Sequence, residues 1–110
     1  MSDKIEMFNI QDFVDGWLVG NFNPSLFFCS TVEIGVHEYK KDFQSDGHFH
    51  KIATEYNLIL SGAVLVGNQI LTKGNGWIYK PKQCSFVKFL RDTQLLIIKT
   101  PSVPGDKHYD

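Results

Sequence analysis

The chain has 110 residues and a formal net charge of −1, with 43% apolar and 21% charged residues. This length fits a single domain, and the composition excludes an intrinsically disordered chain. The balanced charge gives no attraction for a polyanion, and no apolar run approaches the ~20 residues that span a bilayer, so we expect neither a nucleic-acid nor a membrane partner.

The N-terminal residues and the two cysteines indicate the cellular compartment. Residues 1–6 carry mixed charges and lack the apolar centre of an export signal. Without such a signal, Cys29 and Cys84 are expected to be reduced, buried thiols. We therefore expect a cytoplasmic protein.

Most of the chain consists of short apolar runs separated by turn residues. Those that we predict as strands are residues 13–14, 17–19, 26–28, 32–39, 55–60, 63–66, 69–71, 77–79, 85–90 and 95–99. Strand-sized runs with turn signals at this spacing predict an all-β, antiparallel sandwich or barrel. Residues 7–19 come closest to a helical spacing, with Asn9 and Asp12 as cap residues, so a short helix and an extended segment both stay open there.

One segment has the residue types of a metal site. His48 and His50 are two positions apart, so in an extended segment both imidazoles point to the same side. Glu55 follows after a short connection that can turn back toward them. Two histidines and a carboxylate hold a divalent transition metal and leave positions open for water or substrate. The alternative is that both histidines are solvated and that the glutamate merely begins a strand.

This segment resembles the first motif of the cupins, in which His-x-His is followed by Glu and then, after six intervening residues, by Gly. The matching residues are His48, His50, Glu55 and Gly62. The motif begins with a Gly six residues before its first His, where this chain has Asp42.

The second cupin motif also has a counterpart, although it departs from the pattern. Gly74, residues 77–79 and Pro81 follow its frame of a glycine, a strand and a turn. Its final histidine falls on Ser85 or Phe86, depending on how the turn is aligned, so this chain lacks that ligand. The resemblance covers roughly residues 26–107.

The resemblance implies a single-domain jelly-roll barrel of six to eight strands over residues 26–107, with residues 1–25 packing on it as an N-terminal segment. It also implies a metal site near one mouth, with His48, His50 and Glu55 as three of the usual four ligands. The ion would be Fe, Mn, Ni, Zn or Co, since imidazole and carboxylate suit all of these.

Other side chains are candidates for the pocket. We assign Tyr56, Tyr79 and Phe86 to its wall, with core packing as the alternative for the two tyrosines. His37 faces away from its apolar strand neighbours, either as a replacement ligand or as a packed or solvated histidine. No catalytic residue is assigned.

Residues 55–60 have two faces to cover. If Glu55, Asn57 and Ile59 look into the barrel, the apolar row of alternating residues 56, 58 and 60 lies outside. Coverage of that row by a partner favours a homodimer.

Three hypotheses for function follow from these features. The first is a metal-dependent enzyme of the oxygenase or isomerase type acting on a small molecule. The second is a non-catalytic module that binds a small ligand and has a degenerate metal site. The third is a structural or interaction role with a vestigial site. Fold alone does not decide among them.

Overall fold

The computed structural model describes residues 4–45 and 47–109, and nearly all of its regular structure is β-strand. In chain order the strands are β1 (Trp17–Gly20), β2 (Phe27–Phe28), β3 (Glu33–Tyr39), β4 (Gln44–Ser45), β5 (Phe49–His50), β6 (Thr54–Ser61), β7 (Ala63–Val66), β8 (Gln69–Thr72), β9 (Gly76–Tyr79), β10 (Val87–Phe89), β11 (Thr93–Thr100) and β12 (Lys107–His108). Within the described ranges, no helix is both long enough and apolar enough to cross a membrane.

The strands form three sheets. The largest has the order β2-β1-β3-β11-β6-β9, the second has the order β4-β10-β7-β8, and β12 pairs with β5. Among the described strands, β1 and β2 pair in parallel and the remaining pairs are antiparallel. The predicted all-β, antiparallel class is confirmed.

The centre of the large sheet follows the two-residue period of its sequence. In β6, the buried residues Glu55, Asn57 and Ile59 alternate with the exposed Tyr56 and Leu58. This alternation arises because successive side chains of a strand point to opposite faces. The same strand thus supplies both interior polar groups and an apolar outer row.

The core lies between the two larger sheets. Its fully buried side chains are Ile59, Leu95 and Ile97 from the large sheet and Val64, Val87 and Phe89 from the smaller one. Packing one apolar face against the other is what holds a two-layer β fold together.

The N-terminal segment contains one short helix and then enters the sheet. A 3-10 helix covers Ile10–Asp12, and the Asn9 side chain caps it by accepting a hydrogen bond of 2.8 Å from the Gln11 N–H. A short helix and an extended segment were both left open for residues 7–19. The helix is present, but it spans only one turn. β1 then pairs with β2 and β3, so part of the predicted N-terminal segment is built into the large sheet.

Gly62 makes the close turn from β6 to β7. Its φ is +110°, and a Cβ at this position would collide with the Thr93 hydroxyl and with the backbone carbonyl of Asp92. Only glycine tolerates this combination without strain. Steric crowding therefore explains why this chain has a glycine at the last position of the first cupin motif.

The two cysteines are free thiols, but neither is buried as predicted. Cys29 is half-buried, and its thiol lies 3.3 Å from the Val32 carbonyl oxygen. Cys84 is exposed because it lies in the loop between β9 and β10 and not in a strand.

One outer surface of the large sheet is apolar. We define the outer apolar face as Ile34, Val36, Tyr56, Leu58, Ile78, Leu96 and Ile98. These residues are neighbours in register: Ile98 lies opposite Ile34 and Tyr56, and Tyr56 lies opposite Ile78. Tyr56, Leu58 and Ile78 are 41%, 38% and 55% exposed, so the described part of the chain does not cover them.

Candidate metal centre

The three predicted ligands come together at one end of β6. His48 precedes β5, His50 ends it, and Glu55 is the second residue of β6. Each of the three offers a ligand atom, and these atoms all lie within 4.8 Å of one another. His50 and Glu55 are buried and His48 is half-buried, so the arrangement does not match two solvated histidines.

His50 is held in one tautomer by the backbone. Its Nδ1 lies 2.9 Å from the carbonyl oxygen of Asp106, and because a carbonyl only accepts, Nδ1 carries the proton. In the neutral ring Nε2 then presents a lone pair, and it lies 3.0 Å from Oε1 of Glu55. Two acceptor atoms at this distance need a proton or a metal ion between them.

The distance between these two atoms also fits an ion. Two ligands at right angles on a metal with bonds of about 2.1 Å lie about 3 Å apart. The other carboxylate oxygen of Glu55 accepts a hydrogen bond of 3.0 Å from the Asn57 amide, which fixes the carboxylate, as outer groups commonly do for metal ligands.

Asp106 holds the connection between the histidines and the glutamate. Its buried carboxylate accepts hydrogen bonds from the backbone N–H groups of Lys51, Ile52 and Ala53 at 3.1, 3.1 and 2.9 Å. The C-terminal tail is therefore an ordered strap, and β12 within it pairs with β5. Sequence reasoning missed Asp106 because its partners lie more than fifty positions away.

The electrostatics favour the forms that bind a cation. Burial, followed by the charge of Lys107, lowers the pKa of His48 to about 4, so its imidazole is neutral at neutral pH. Burial would raise the pKa of Glu55, but its contact with His50 and the hydrogen bond from the Asn57 amide outweigh burial, so the pKa falls below its usual value. A neutral imidazole and an ionised carboxylate are the states in which these groups bind metals.

The cluster opens into a cavity of about 480 Å³ inside the barrel. This volume lies within the range of small-molecule sites, roughly 300–1,000 Å³. The aromatic side chains of its wall are Trp17, Tyr39, Phe43, Trp77, Tyr79, Phe89 and Tyr109. Tyr39 stacks on Phe89 with ring centroids 4.3 Å apart, so the aromatic residues build both core and cavity wall.

His37 also lines this cavity, but it is not one of the three clustered ligands. Its ring contacts the Trp17 ring edge-on at 4.6 Å, and its Nδ1 lies 3.3 Å from the Tyr39 hydroxyl. Of the two interpretations left open, the structure therefore places His37 as a packed histidine. Nearby, Lys99 pairs with Glu33 at 3.2 Å and lies over the Trp17 ring.

Two of the three pocket assignments are corrected. Tyr79 lines the cavity, whereas Tyr56 and Phe86 do not. Tyr56 points outward because it alternates with Glu55 and Asn57, and Phe86 is 48% exposed just before β10. Ser85 faces the cavity instead, and its hydroxyl lies 2.6 Å from that of Tyr79.

Sequence reasoning had a usable signal for some of the missed wall residues. Asn57 shares the parity of Glu55, and Trp77 shares that of Tyr79. Since side chains two positions apart on a strand face the same side, Asn57 could have been predicted from Glu55 and Trp77 from Tyr79.

Comparisons with known proteins support the fold. An uncharacterised conserved protein with a double-stranded β-helix domain from Klebsiella pneumoniae is similar with a TM-score of 0.66 and 16% identity, over 96% of this chain and 95% of that one. The DMSP lyase DddQ from Ruegeria pomeroyi has a TM-score of 0.67 at 17% identity, over 93% and 58% of the two chains. The bacterial pirin YhhW from Escherichia coli, in complex with nickel(II), has a TM-score of 0.62 at 18% identity, over 80% and 39%.

These similarities show the fold. The chain has a double-stranded β-helix fold, which is the fold that the resemblance implied. No protein-family model matches the chain. No curated protein matches it either.

Proposed function

We propose that His48, His50 and Glu55 bind one divalent transition-metal ion, and that the cavity binds a small molecule beside it. The observation that carries this proposal is the contact between His50 Nε2 and Glu55 Oε1. When the His50 ring is neutral, two lone-pair atoms lie 3.0 Å apart, buried and fixed from behind by Asp106 and Asn57. A cation removes their repulsion, and the third ligand, His48, is neutral where an ion would need it.

The ion would be Fe, Mn, Ni, Zn or Co, because two imidazoles and a carboxylate suit each of them. A structurally similar pirin is in complex with nickel(II), which supports a metal site in a protein of this fold. When bound, such an ion polarises an oxygen atom of a ligand in contact with it. Glu55 and His50 would hold the ion, while the aromatic wall would exclude water from the bound molecule.

Instead of a metal ion, a proton can lie between His50 Nε2 and Glu55 Oε1. If His50 is protonated, it forms a buried ion pair with Glu55, and the cluster is a structural element of the barrel. A non-catalytic ligand-binding module is then the second candidate function. Ser85 favours it, because this serine stands where the resemblance expects the fourth ligand.

Metal binding to untagged, metal-free protein tests the proposal. Titration with Ni²⁺, Co²⁺, Mn²⁺, Fe²⁺ and Zn²⁺ should show one ion per chain for at least one metal, with a matching rise in Tm. His50→Ala and Glu55→Gln should each weaken binding at least about a hundredfold, since each removes a ligand. The control is His108→Ala, which removes a nearby histidine outside the cluster and should leave binding unchanged. Folded wild-type protein that binds none of the five ions would contradict the proposal.

A double variant separates the two candidate functions. If small-molecule binding survives His48→Ala with His50→Ala, the cavity works without the ion and the binding module is favoured. If metal and ligand binding disappear together, both share the site.

We further propose that a second copy of this chain covers the outer apolar face. That face measures about 20 by 25 Å, or roughly 500 Å², from strand spacing and rise, whereas a standard interface buries about 800 Å² per partner. The N-terminal arm, which we define as residues 5–10, supplies more apolar surface: Ile5, Met7 and Phe8 are 79%, 87% and 60% exposed. If the arm packs on the partner's face, its apolar side chains add to the roughly 500 Å² of each face and bring the buried area closer to that of a standard interface.

A further inference from the structure

The cavity wall contains two buried polar atoms that lack a hydrogen-bond partner within the described part of the chain. They are Nε2 of His37 and Nε1 of Trp77, and both residues line the cavity. A buried polar group without a partner costs free energy, so such groups are uncommon and call for an explanation. A ligand that brings the missing partners into the cavity provides one.

The Trp77 indole determines which kind of group a ligand must place beside it. An indole N–H only donates, so the ligand must present an acceptor there. Trp77 precedes Tyr79 by two positions on β9, and these residues lie opposite Asn57 and Glu55 of β6. The donor therefore lies beside the strand that carries the glutamate of the metal cluster.

The Tyr79 and Ser85 hydroxyls belong to the same corner. One hydroxyl donates to the other across 2.6 Å, which leaves the second proton free for a ligand. Burial raises the pKa of Tyr79, although the Ser85 and Trp77 side chains both favour its ionised form. The indole N–H of Trp77 lies near enough to favour the ionised form of this hydroxyl, but its geometry does not make a hydrogen bond. The corner offers two donors to one acceptor group.

The charges near the cavity favour a negative ligand once an ion is bound. Glu33 pairs with Lys99 at 3.2 Å, and Glu55 offsets one charge of a divalent ion. Lys107 and Asp15, both in the cavity wall, balance each other. Among the side chains that line the cavity, together with their ion-pair partners, one positive charge therefore remains.

The position of His37 sets how far apart the polar groups of the ligand must lie. The order β3-β11-β6-β9 separates His37 from Trp77 by three strand spacings, about 14 Å along the backbone of the sheet. Both side chains point inward from these positions. A ligand that serves both must carry a polar group at each end.

We propose that the cavity binds a hydroxy- or oxo-carboxylate with a chain of about five or six carbons, with its carboxylate at the Trp77, Tyr79 and Ser85 corner and a further oxygen near His37. This deepens the proposed function by naming the ligand class, and it rests on that function for the net positive charge. The donor corner itself belongs to the protein and does not require the ion.

Two matched pairs of small molecules test the proposal. Gluconate and sorbitol, and xylonate and xylitol, are such pairs: within each pair, the acid has a carboxylate where the alcohol has a hydroxymethyl group. Calorimetric titration of the nickel-loaded protein should show binding of at least one acid, with the matching alcohol at least tenfold weaker. Trp77→Phe and Tyr79→Phe should each weaken acid binding about ten- to a hundredfold, as expected when a hydrogen bond to a charged group is lost.

The control variant is Tyr56→Phe, which removes a tyrosine hydroxyl from the outer face and should leave acid binding unchanged. Circular dichroism and the Tm of each variant check that it folds. Equal binding of acid and alcohol, a folded Trp77→Phe protein with unchanged affinity, or no acid binding at about 10 mM, where even weak sites fill, would each overturn the proposal.

The same titration on the metal-free His48→Ala, His50→Ala protein separates this proposal from the metal proposal. Acid binding that persists there and still depends on Trp77 supports the carboxylate corner even if no ion binds the cluster. Acid binding by the double variant that is insensitive to Trp77→Phe overturns the corner and leaves the metal proposal untouched.

Discussion

The hydroxyl groups of Tyr79 and Ser85 lie 2.6 Å apart inside the cavity, at the position where the second cupin motif would supply a histidine. Tyr79 comes from β9, and Ser85 comes from the loop that leads to β10. A hydrogen-bonded pair of hydroxyls therefore occupies the place of a fourth ligand. If the cluster holds an ion, as we propose, Ser85 leaves it without a fourth protein ligand, and this leads to the first prediction.

Restoring the histidine should strengthen metal binding. We expect Ser85→His to raise the affinity for Ni²⁺ or Zn²⁺ about ten- to a hundredfold, because it adds an imidazole ligand to a three-residue set. Phe86→His is the control, since Phe86 is 48% exposed and lies outside the cavity. Competition titration against a chelator measures both. Equal gains from the two variants would show that Ser85 does not face the ion.

Removing the Asp106 carboxylate should destabilise the fold. Asp106→Asn replaces an acceptor of three backbone hydrogen bonds with an amide that presents a single acceptor oxygen. We expect the free energy of unfolding to fall by about 2–4 kcal/mol, because hydrogen bonds to charged groups are the stronger ones. Urea unfolding measures this loss.

The control for Asp106 is His108→Ala. His108 lies 3.5 Å from the same carboxylate but remains partly exposed, so its removal should change stability by less than about 0.5 kcal/mol. If the two variants were equally stable, the strap would not be held by the Asp106 carboxylate.

His37 should make the protein sensitive to acid. Burial, and then the charge of Lys99, lowers its pKa below the usual 6.5, against the opposing charges of Asp15 and Glu55. As the pH falls below 6.5, the unfolded chain binds a proton that the folded chain resists. The stability that depends on neutral His37 is thus complete above that pH and is lost as the pH falls toward the lower folded-state pKa.

His37→Gln removes this titrating group. In metal-free protein with chelator present, the variant should lose less free energy of unfolding than wild type between about pH 7 and about pH 5. Urea unfolding at both values gives the comparison. An identical loss in the two proteins would mean that His37 titrates alike in the folded and unfolded states.

The proposed dimer can be broken through the outer apolar face. Leu58→Lys places a charge at the centre of that face, so we expect it to convert a dimer into a monomer in sedimentation velocity. Ile70→Lys is the control, because Ile70 is 66% exposed on β8 in the other sheet. A wild-type protein that sediments as a monomer at tens of micromolar, about the range of a weak specific dimer, would contradict the proposed dimer.

Local patterns predicted much of the fold. The alternation in residues 55–60 predicted which side chains face inward, and β6 confirms it because a two-residue period is a local property of the strand. The spacing of His48, His50 and Glu55 also predicted their approach, since a short connection joins them. Tyr56 was wrongly placed because its aromatic character was weighed above its parity.

Contacts between distant parts of the chain could not be predicted in this way. Asp106 reaches the backbone at Ala53, 53 positions away, and no local pattern of the tail encodes that contact. The choice between Ser85 and Phe86 depended on the turn at residues 80–83, where Lys82 has a φ of +70° and its N–H donates to the His50 carbonyl. Only the three-dimensional path of that turn decides which residue faces the cavity.

The most direct test of the central claim is the position of a metal ion in a crystal of the protein grown from metal-free material and soaked with Ni²⁺. Anomalous diffraction at the nickel edge should show one strong peak about 2.1 Å from a nitrogen of His48, a nitrogen of His50 and an oxygen of Glu55. A peak bound elsewhere, or an intact His50–Glu55 contact with no peak between the two groups, would contradict the account.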